Sequence, residues 1–326
     1  MTVPRLTRAG FLILALFAMP LSVEAQPARA YRVGVVHPGG PYSSIIDGLR
    51  DGLRELGLED GKQLVLHVRE GNGDQKLTEA AAKSLEAEKV DLIVALGSGA
   101  ALAAKQATKS VPIVFYAGAD PVSLGLVESL RKPGGRLTGI HGQNTGLAGK
   151  RLELLKEMVP GLRRVVTFYR PDNPAAQQGL KIARDAARLL KLELVERPVA
   201  SVEGLRAGLL ALRPEEADAL LYVSDAMVAS QMEMIIETAR LKKLPTMIHE
   251  RGGAAKGALA AYGESYYAIG RLCAKQVQRV LLGADPASQP VEQVDRLYFV
   301  INLKTAKALG LTIPQSLRIR ADEVIE

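Results

Sequence analysis

The sequence predicts an α/β protein of two lobes, each a mostly parallel sheet flanked by helices. Three observations predict it. Short apolar runs alternate regularly with amphipathic helical stretches from Arg32 onward. The runs end abruptly in small or polar residues, as in Val90–Pro121, where strand, small-residue loop, helix and strand form a βαβ unit. The alternation pauses at the glycine-rich, polar stretch Gly142–Gly149 and then resumes as a second series. The chain of 326 residues also exceeds the size at which single cores usually stop growing.

The elements follow in order. Arg32–Val36 is the first strand, and Ile45, Leu49, Leu53 and Leu56 then lie on one face of a helix. Strand Gln63–Val68 precedes a helix capped by Asp74, with Leu77, Ala81 and Leu85 inward. Strands Asp91–Leu96 and Pro112–Tyr116 flank the alanine-rich helix Ala100–Thr108, and Arg136–Ile140 follows the turn Pro133-Gly134-Gly135. In the second series, helix Gly149–Val159 leads to strand Arg164–Tyr169, and the next helix carries Leu180, Ala183, Ala187 and Leu190 on one face. Strand Glu193–Glu196, helix Val202–Leu212 and strand Ala219–Val223 come next. One helix is then expected from Ser224-Asp225 towards Arg240, before short strands at Pro245–Ile248 and Ala258–Tyr262. The long helix Ser265–Leu282, strand Tyr298–Ile301 and helix Leu303–Leu309 complete the pattern.

The first 25 residues form an export signal. Arg5 and Arg8 precede the apolar run Phe11–Ala18, and Val23-Glu24-Ala25 suits cleavage after Ala25. The run is too short for a membrane span, and Gln26 in place of a cysteine leaves no lipid attachment. A product released into a bacterial periplasm is expected. Loss of Arg5, Arg8 and Glu24 lowers the formal charge from +7 to +6. No basic stripe is interleaved with aromatics, so nucleic acid is not an expected partner. Cys273 is the only cysteine and falls on the inner face of a helix, so no internal disulfide is possible. The four histidines are scattered without metal-ligand spacing, and neither a metal nor a cofactor is expected.

Gly97-Ser98-Gly99 lets a ligand approach the backbone closely, and the helix that follows offers unpaired N–H groups and a partial positive charge. That is a seat for a small anionic group. The dinucleotide fingerprint fails because Leu102 stands at its third glycine, the nucleophile elbow fails at Leu96-Gly97-Ser98-Gly99-Ala100, and no P-loop is present. Asp225 is either a strand-end acid or a helix N-cap, and Asp120 is either functional or an Asx-turn residue before Pro121. Tyr42, Tyr116 and Tyr262 end strands or begin loops, as rim residues or as platforms for a flat ligand. No catalytic constellation emerges, and the protein is not expected to be an enzyme.

Several motifs, among them GLRELGLEDGK (Gly52–Lys62), AAKQATKSVPIVF with ADPV (Ala103–Val122) and RKPGGRLTG (Arg131–Gly139), are found together with GKRLELLKEMVPG (Gly149–Gly161), NPA (Asn173–Ala175) and FVINLKTAKALGLTIPQSLRIRADEVIE (Phe299–Glu326). On these the chain resembles ABC-transporter substrate-binding proteins of the group that includes aromatic amino-acid binders. The resemblance implies a type I periplasmic-binding-protein-like clamshell, closing on a small solute and docking on an inner-membrane ABC permease. It assigns Ser98, Gly99 and Ala100 to a ligand carboxylate, Asn173 to a donor from the second lobe, and Asp225 to a ligand ammonium. Asp120, after Gly118, would meet an amino group or shape its turn. The first-strand loop His37–Tyr42 departs from the family pattern, which leaves solute specificity open.

The expected division is a signal at 1–25, a first lobe of 26–142 with about 263–283, and a second lobe of 143–262 with about 284–326. The expected function is capture of a small carboxylated solute, such as an aromatic amino acid or aromatic acid, by a monomer. A sensory protein presenting its closed form to a membrane receptor, and an exported hydrolase, are the alternatives.

Overall fold

The computed structural model describes residues 29–326, so the expected export signal lies outside the described residues. The first series comprises strands β1 (Tyr31–His37), β2 (Leu64–Glu70), β3 (Leu92–Leu96), β4 (Ile113–Ala117) and β5 (Leu137–His141). Helices α1 (Ser43–Glu55), α2 (Gln75–Ala87) and α3 (Ser98–Ala107) connect its first four strands. The second series runs α4 (Ala148–Met158), β6 (Arg164–Tyr169), α5 (Pro174–Leu189), β7 (Glu193–Pro198), α6 (Val202–Ala211) and β8 (Ala219–Leu221). It continues through α7 (Ala226–Ser230), α8 (Met232–Leu241), β9 (Thr246–Glu250) and β10 (Ala260–Glu264). The chain ends with α9 (Tyr266–Leu281), β11 (Glu292–Gln293), β12 (Tyr298–Asn302), α10 (Leu303–Ala308), α11 (Gln315–Arg320) and β13 (Glu323–Ile325).

Among the described residues the strands form two sheets, ordered β11-β5-β4-β3-β1-β2 and β13-β12-β10-β9-β8-β6-β7. Every pairing is parallel except β10 with β12. All residues of β3 and β4 are buried, as helices on both faces of a parallel sheet require. The strand order reverses between β1 and β3 in one sheet and between β6 and β8 in the other. Loops at the carboxyl ends of those strands border the crevices where open α/β sheets bind ligands.

Three stretches carry the chain from one sheet to the other: residues 142–147, Ser265, and residues 294–297. Helix α9 thereby returns to pack on α1 of the first sheet. A glycine from each helix lets them approach closely: a Cβ at Gly48 would collide with the Tyr267 carbonyl, and one at Gly270 with the Ile45 carbonyl. The single helix expected from Ser224 is broken at Gln231 into α7 and α8. Side chains capture carbonyls there instead of the ladder: Tyr222 OH donates to the Val228 carbonyl at 2.5 Å, and Ser230 Oγ to that of Met227 at 2.7 Å. The short β11 and the terminal α11 and β13 have no counterpart in the strand and helix pattern read from the sequence. Cys273 is buried, and burial pushes its thiol up to about 12.

Because the obstacle at Gly270 is backbone, Gly270→Ala should force α1 and α9 apart. The expected loss is about 2–3 kcal/mol of stability, read by urea unfolding, since overpacking against immovable atoms is not relieved by a rotamer change.

Candidate functional site

Loops after β1, β3 and β4 face loops after β6 and β8. Between them lies a nearly filled inner void of about 10 Å³, bordered by Tyr42, Ser98, Tyr116, Asn144, Ser224 and Tyr266. An outer cavity of about 220 Å³ adjoins it, sharing Ser98, Gly99, Asn173 and Ala226 and reaching Gln75, Ala100 and Asp172.

On the first-lobe side, Gly97 turns the chain from β3 into α3 at φ +102°, in the left-handed region that favours glycine. A Cβ there would also crowd the Tyr42 ring at 3.2 Å. No side chain caps α3, and the N–H groups of Ser98, Gly99 and Ala100 donate to nothing among the described residues. The Ser98 hydroxyl oxygen accepts from the Ala119 N–H at 3.3 Å, which leaves its proton to donate elsewhere. This end of α3 therefore presents several unused donors and the positive end of a helix dipole towards the cavity.

On the opposite side, Asn173 caps α5, accepting from the Ala175 N–H at 3.0 Å and donating its amide to Asp225 at 3.0 Å. Asp225 caps α7. One carboxylate oxygen accepts from the Met227 and Val228 N–H groups, and the other accepts from Asn173 and the Arg170 N–H. Burial raises its pKa, opposed by these donors.

Behind the void stands an aromatic cluster. The Tyr266 ring lies 5.0 Å from that of Tyr42 and 5.8 Å from that of Tyr116, and its hydroxyl is 3.0 Å from His249 Nε2. Burial pushes the Tyr42 phenol up to about 12. Burial, reinforced by the charge of Arg151, drives the His249 pKa down to about 3.

A buried polar chain joins this cluster to the passages between the sheets. Tyr116 OH donates to Glu264 at 2.7 Å, the Gln143 N–H donates to the same carboxylate, and the Asn144 amide donates to Tyr116 OH at 3.1 Å. Arg151 donates to the carbonyls of Tyr262 at 2.8 Å and Asn144 at 2.7 Å. Glu264 and Arg151 are both fully buried. Burial raises the Glu264 pKa, against its donors and Arg151, and lowers that of Arg151 to about 10.

The structure brings Tyr42, Ser98, Gly99, Ala100, Tyr116, Gly118 and Asn173 to the two cavities. Three residues singled out in the sequence stand apart from both. Asp225 lies behind Asn173 as a cap. Asp120 accepts from the Val122 N–H at 3.0 Å and the Ser123 hydroxyl at 2.6 Å, within its own turn. Tyr262 packs edge-on against Phe299 at 6.1 Å. The pattern reading missed Asn144, Ser224, Tyr266, Arg151 and Glu264. Tyr266, just after a helix cap, looks like any core position, and Arg151 lies in a lysine- and glutamate-rich helix that reads as exposed.

Two lobes of this topology, with donors meeting across one cleft, define a type I periplasmic-binding-protein fold. The family model for ABC transporter substrate binding proteins matches residues 32–325, and the chain belongs to that family. A tyrosine-binding protein of Clostridioides difficile is 29% identical over 264 residues, spanning 81% of this chain and 76% of the relative. A Streptococcus pneumoniae ABC domain solved in complex with L-Trp has 28% identity and a TM-score of 0.81, over 91% of this chain and 100% of that one. A ligand-free, open substrate-binding protein from Clostridium difficile has 26% identity over 91% of this chain and 99% of its own, but a TM-score of 0.61.

Two outcomes are expected. Replacing Asp225 by Asn puts an amide nitrogen against donors on one side or the other, so Asp225→Asn should cost about 1–3 kcal/mol in urea unfolding. His249, neutral in the fold, has a pKa depressed from 6.5 to about 3. Its contribution is intact above pH 6.5 and shrinks as the pH falls towards 3, because the unfolded chain takes up the proton first. His249→Gln, which keeps a partner for Tyr266, should flatten the loss of stability between pH 6.5 and 5 by about 1 kcal/mol per pH unit.

Proposed function

We propose that this protein captures a small carboxylated aromatic solute, an aromatic amino acid such as tyrosine or an aromatic acid, between its lobes. It then delivers the solute from the periplasm to an ABC permease in the inner membrane. The observation that carries the reading is the lobe arrangement. At nearly equal identity, the structure is much more similar to the relative that holds L-Trp than to the ligand-free, open one. A cleft in the closed arrangement, with uncapped donors at the start of α3, is what a carboxylated solute would stabilise.

In this reading the solute carboxylate takes the Ser98 hydroxyl and the N–H groups of Gly99 and Ala100. The outer cavity, about 220 Å³, takes the body of the solute, with Asn173 and Asp172 across from it. The three tyrosines behind Ser98 are held against one another, so they present a rigid wall that needs little ordering when the solute arrives. Rotation about the three passages between the sheets opens and closes the cleft.

Isothermal calorimetry on the chain from Gln26 onward, against tyrosine, tryptophan, phenylalanine and their deaminated acids, tests the proposal. One-to-one binding of at least one of them is expected. The chain contains no tryptophan, so bound tryptophan would also report itself by fluorescence. Ser98→Ala should weaken binding by about 1–2 kcal/mol, or about 5–30-fold, for one lost hydrogen bond to a charged group. Failure of the whole panel to bind would overturn the aromatic reading, and unchanged affinity in Ser98→Ala would remove the seat on α3.

A further inference from the structure

A second cavity, separate from the cleft, lies close to the hinge. It measures about 480 Å³ and lies between α1, α9 and the third passage between the sheets. Leu56, Ile269, Leu272 and Val294 give it an apolar lining, with charged side chains around them. That combination and size are those of small-molecule sites.

The charges are unevenly spent. Arg271 is paired with Glu55 across the two helices. Lys275 and Arg296 form no ion pair among the described residues, and Arg296 lies over the Tyr298 ring at 4.7 Å. The remaining acid in the lining, Asp295, also forms no ion pair among the described residues. Two uncommitted cations against one acid leave the rim net positive above an apolar lining.

We infer that this cavity is a second ligand site, for a small amphipathic anion. Its apolar body would rest on Leu56, Ile269 and Leu272, and its carboxylate or sulfonate would meet Lys275 and Arg296. The site shares none of its lining with the two cleft cavities. Its walls include Ser265 and Val294, Asp295 and Arg296, where the chain passes from one sheet to the other, so an occupant would sit on the hinge itself.

The probe is 1-anilinonaphthalene-8-sulfonate, a fused apolar ring system carrying one sulfonate, titrated into the chain from Gln26 onward and read by its fluorescence. Saturable one-to-one binding is expected. The double variant Lys275→Glu/Arg296→Glu, at exposed positions that leave the fold intact, should weaken it roughly tenfold or more. Ala268→Trp, which fills the cavity from α9, should abolish it without reversing any charge. Circular dichroism checks that both variants are folded. Retention of wild-type probe affinity by both folded variants would overturn the inference. So would stoichiometric displacement of the probe by tyrosine, which would put it in the cleft. Whether tyrosine binds the cleft is read separately by calorimetry, so failure of the cleft reading leaves this test intact.

Discussion

A carboxylate and a guanidinium, both removed from water, hold the junction of the two lobes. Glu264 ends the last strand before the chain crosses back to the first sheet, and Arg151 rises from the first helix beyond the first crossing. Neither charge would be tolerable alone at that depth, since an unpaired buried charge costs several kcal/mol. The neutral side chains of Tyr116 and Asn144 link them by hydrogen bonds, so the opposite charges are coupled through a chain of dipoles rather than by direct contact. Tyr116 belongs to the first sheet and Glu264 to the second. Their bond therefore ties the two sheets together at the junction behind the cleft.

From that junction the cleft takes its character. Tyr116 is held at its hydroxyl by Glu264 and Asn144, and its ring supports Tyr266, which supports Tyr42. Tyr42 in turn lies against Gly97, the residue that sets the angle of α3. The donors at the start of α3 are thus aimed by a line of contacts running back to the hinge.

Most of this fold was legible in the sequence, because the strands of a buried parallel sheet are continuous apolar runs and the helices between them keep a clear period. The uncapped start of α3 was legible for a similar local reason: Gly97-Ser98-Gly99 between a strand and a helix is a backbone signal, confined to a few residues. The buried network was not, because its members are spread over Tyr116, Asn144, Arg151 and Glu264 and only the topology brings them together. Arg151 sits in a stretch of mixed charge, where nothing local distinguishes a buried arginine from half-buried Lys150 and exposed Glu153. The break between α7 and α8 was hidden for a different reason. It involves Tyr222, just past β8, whose hydroxyl reaches the Val228 carbonyl in the helix ladder.

The same commitments bear on chemistry. Among the described residues, several titratable groups near the cleft are committed to holding the frame. Asp225 accepts four hydrogen bonds, Glu264 accepts two and balances Arg151, and Asp120 closes its own turn. His249 is turned to Tyr266, with a pKa near 3 that leaves it neutral and weakly basic at physiological pH. What remains uncommitted at the cleft is a set of donors, the Ser98 hydroxyl and the first N–H groups of α3. That division of labour, with two acids and the histidine holding the frame while donors face the cavity, is what the binding of an anion asks of a cleft.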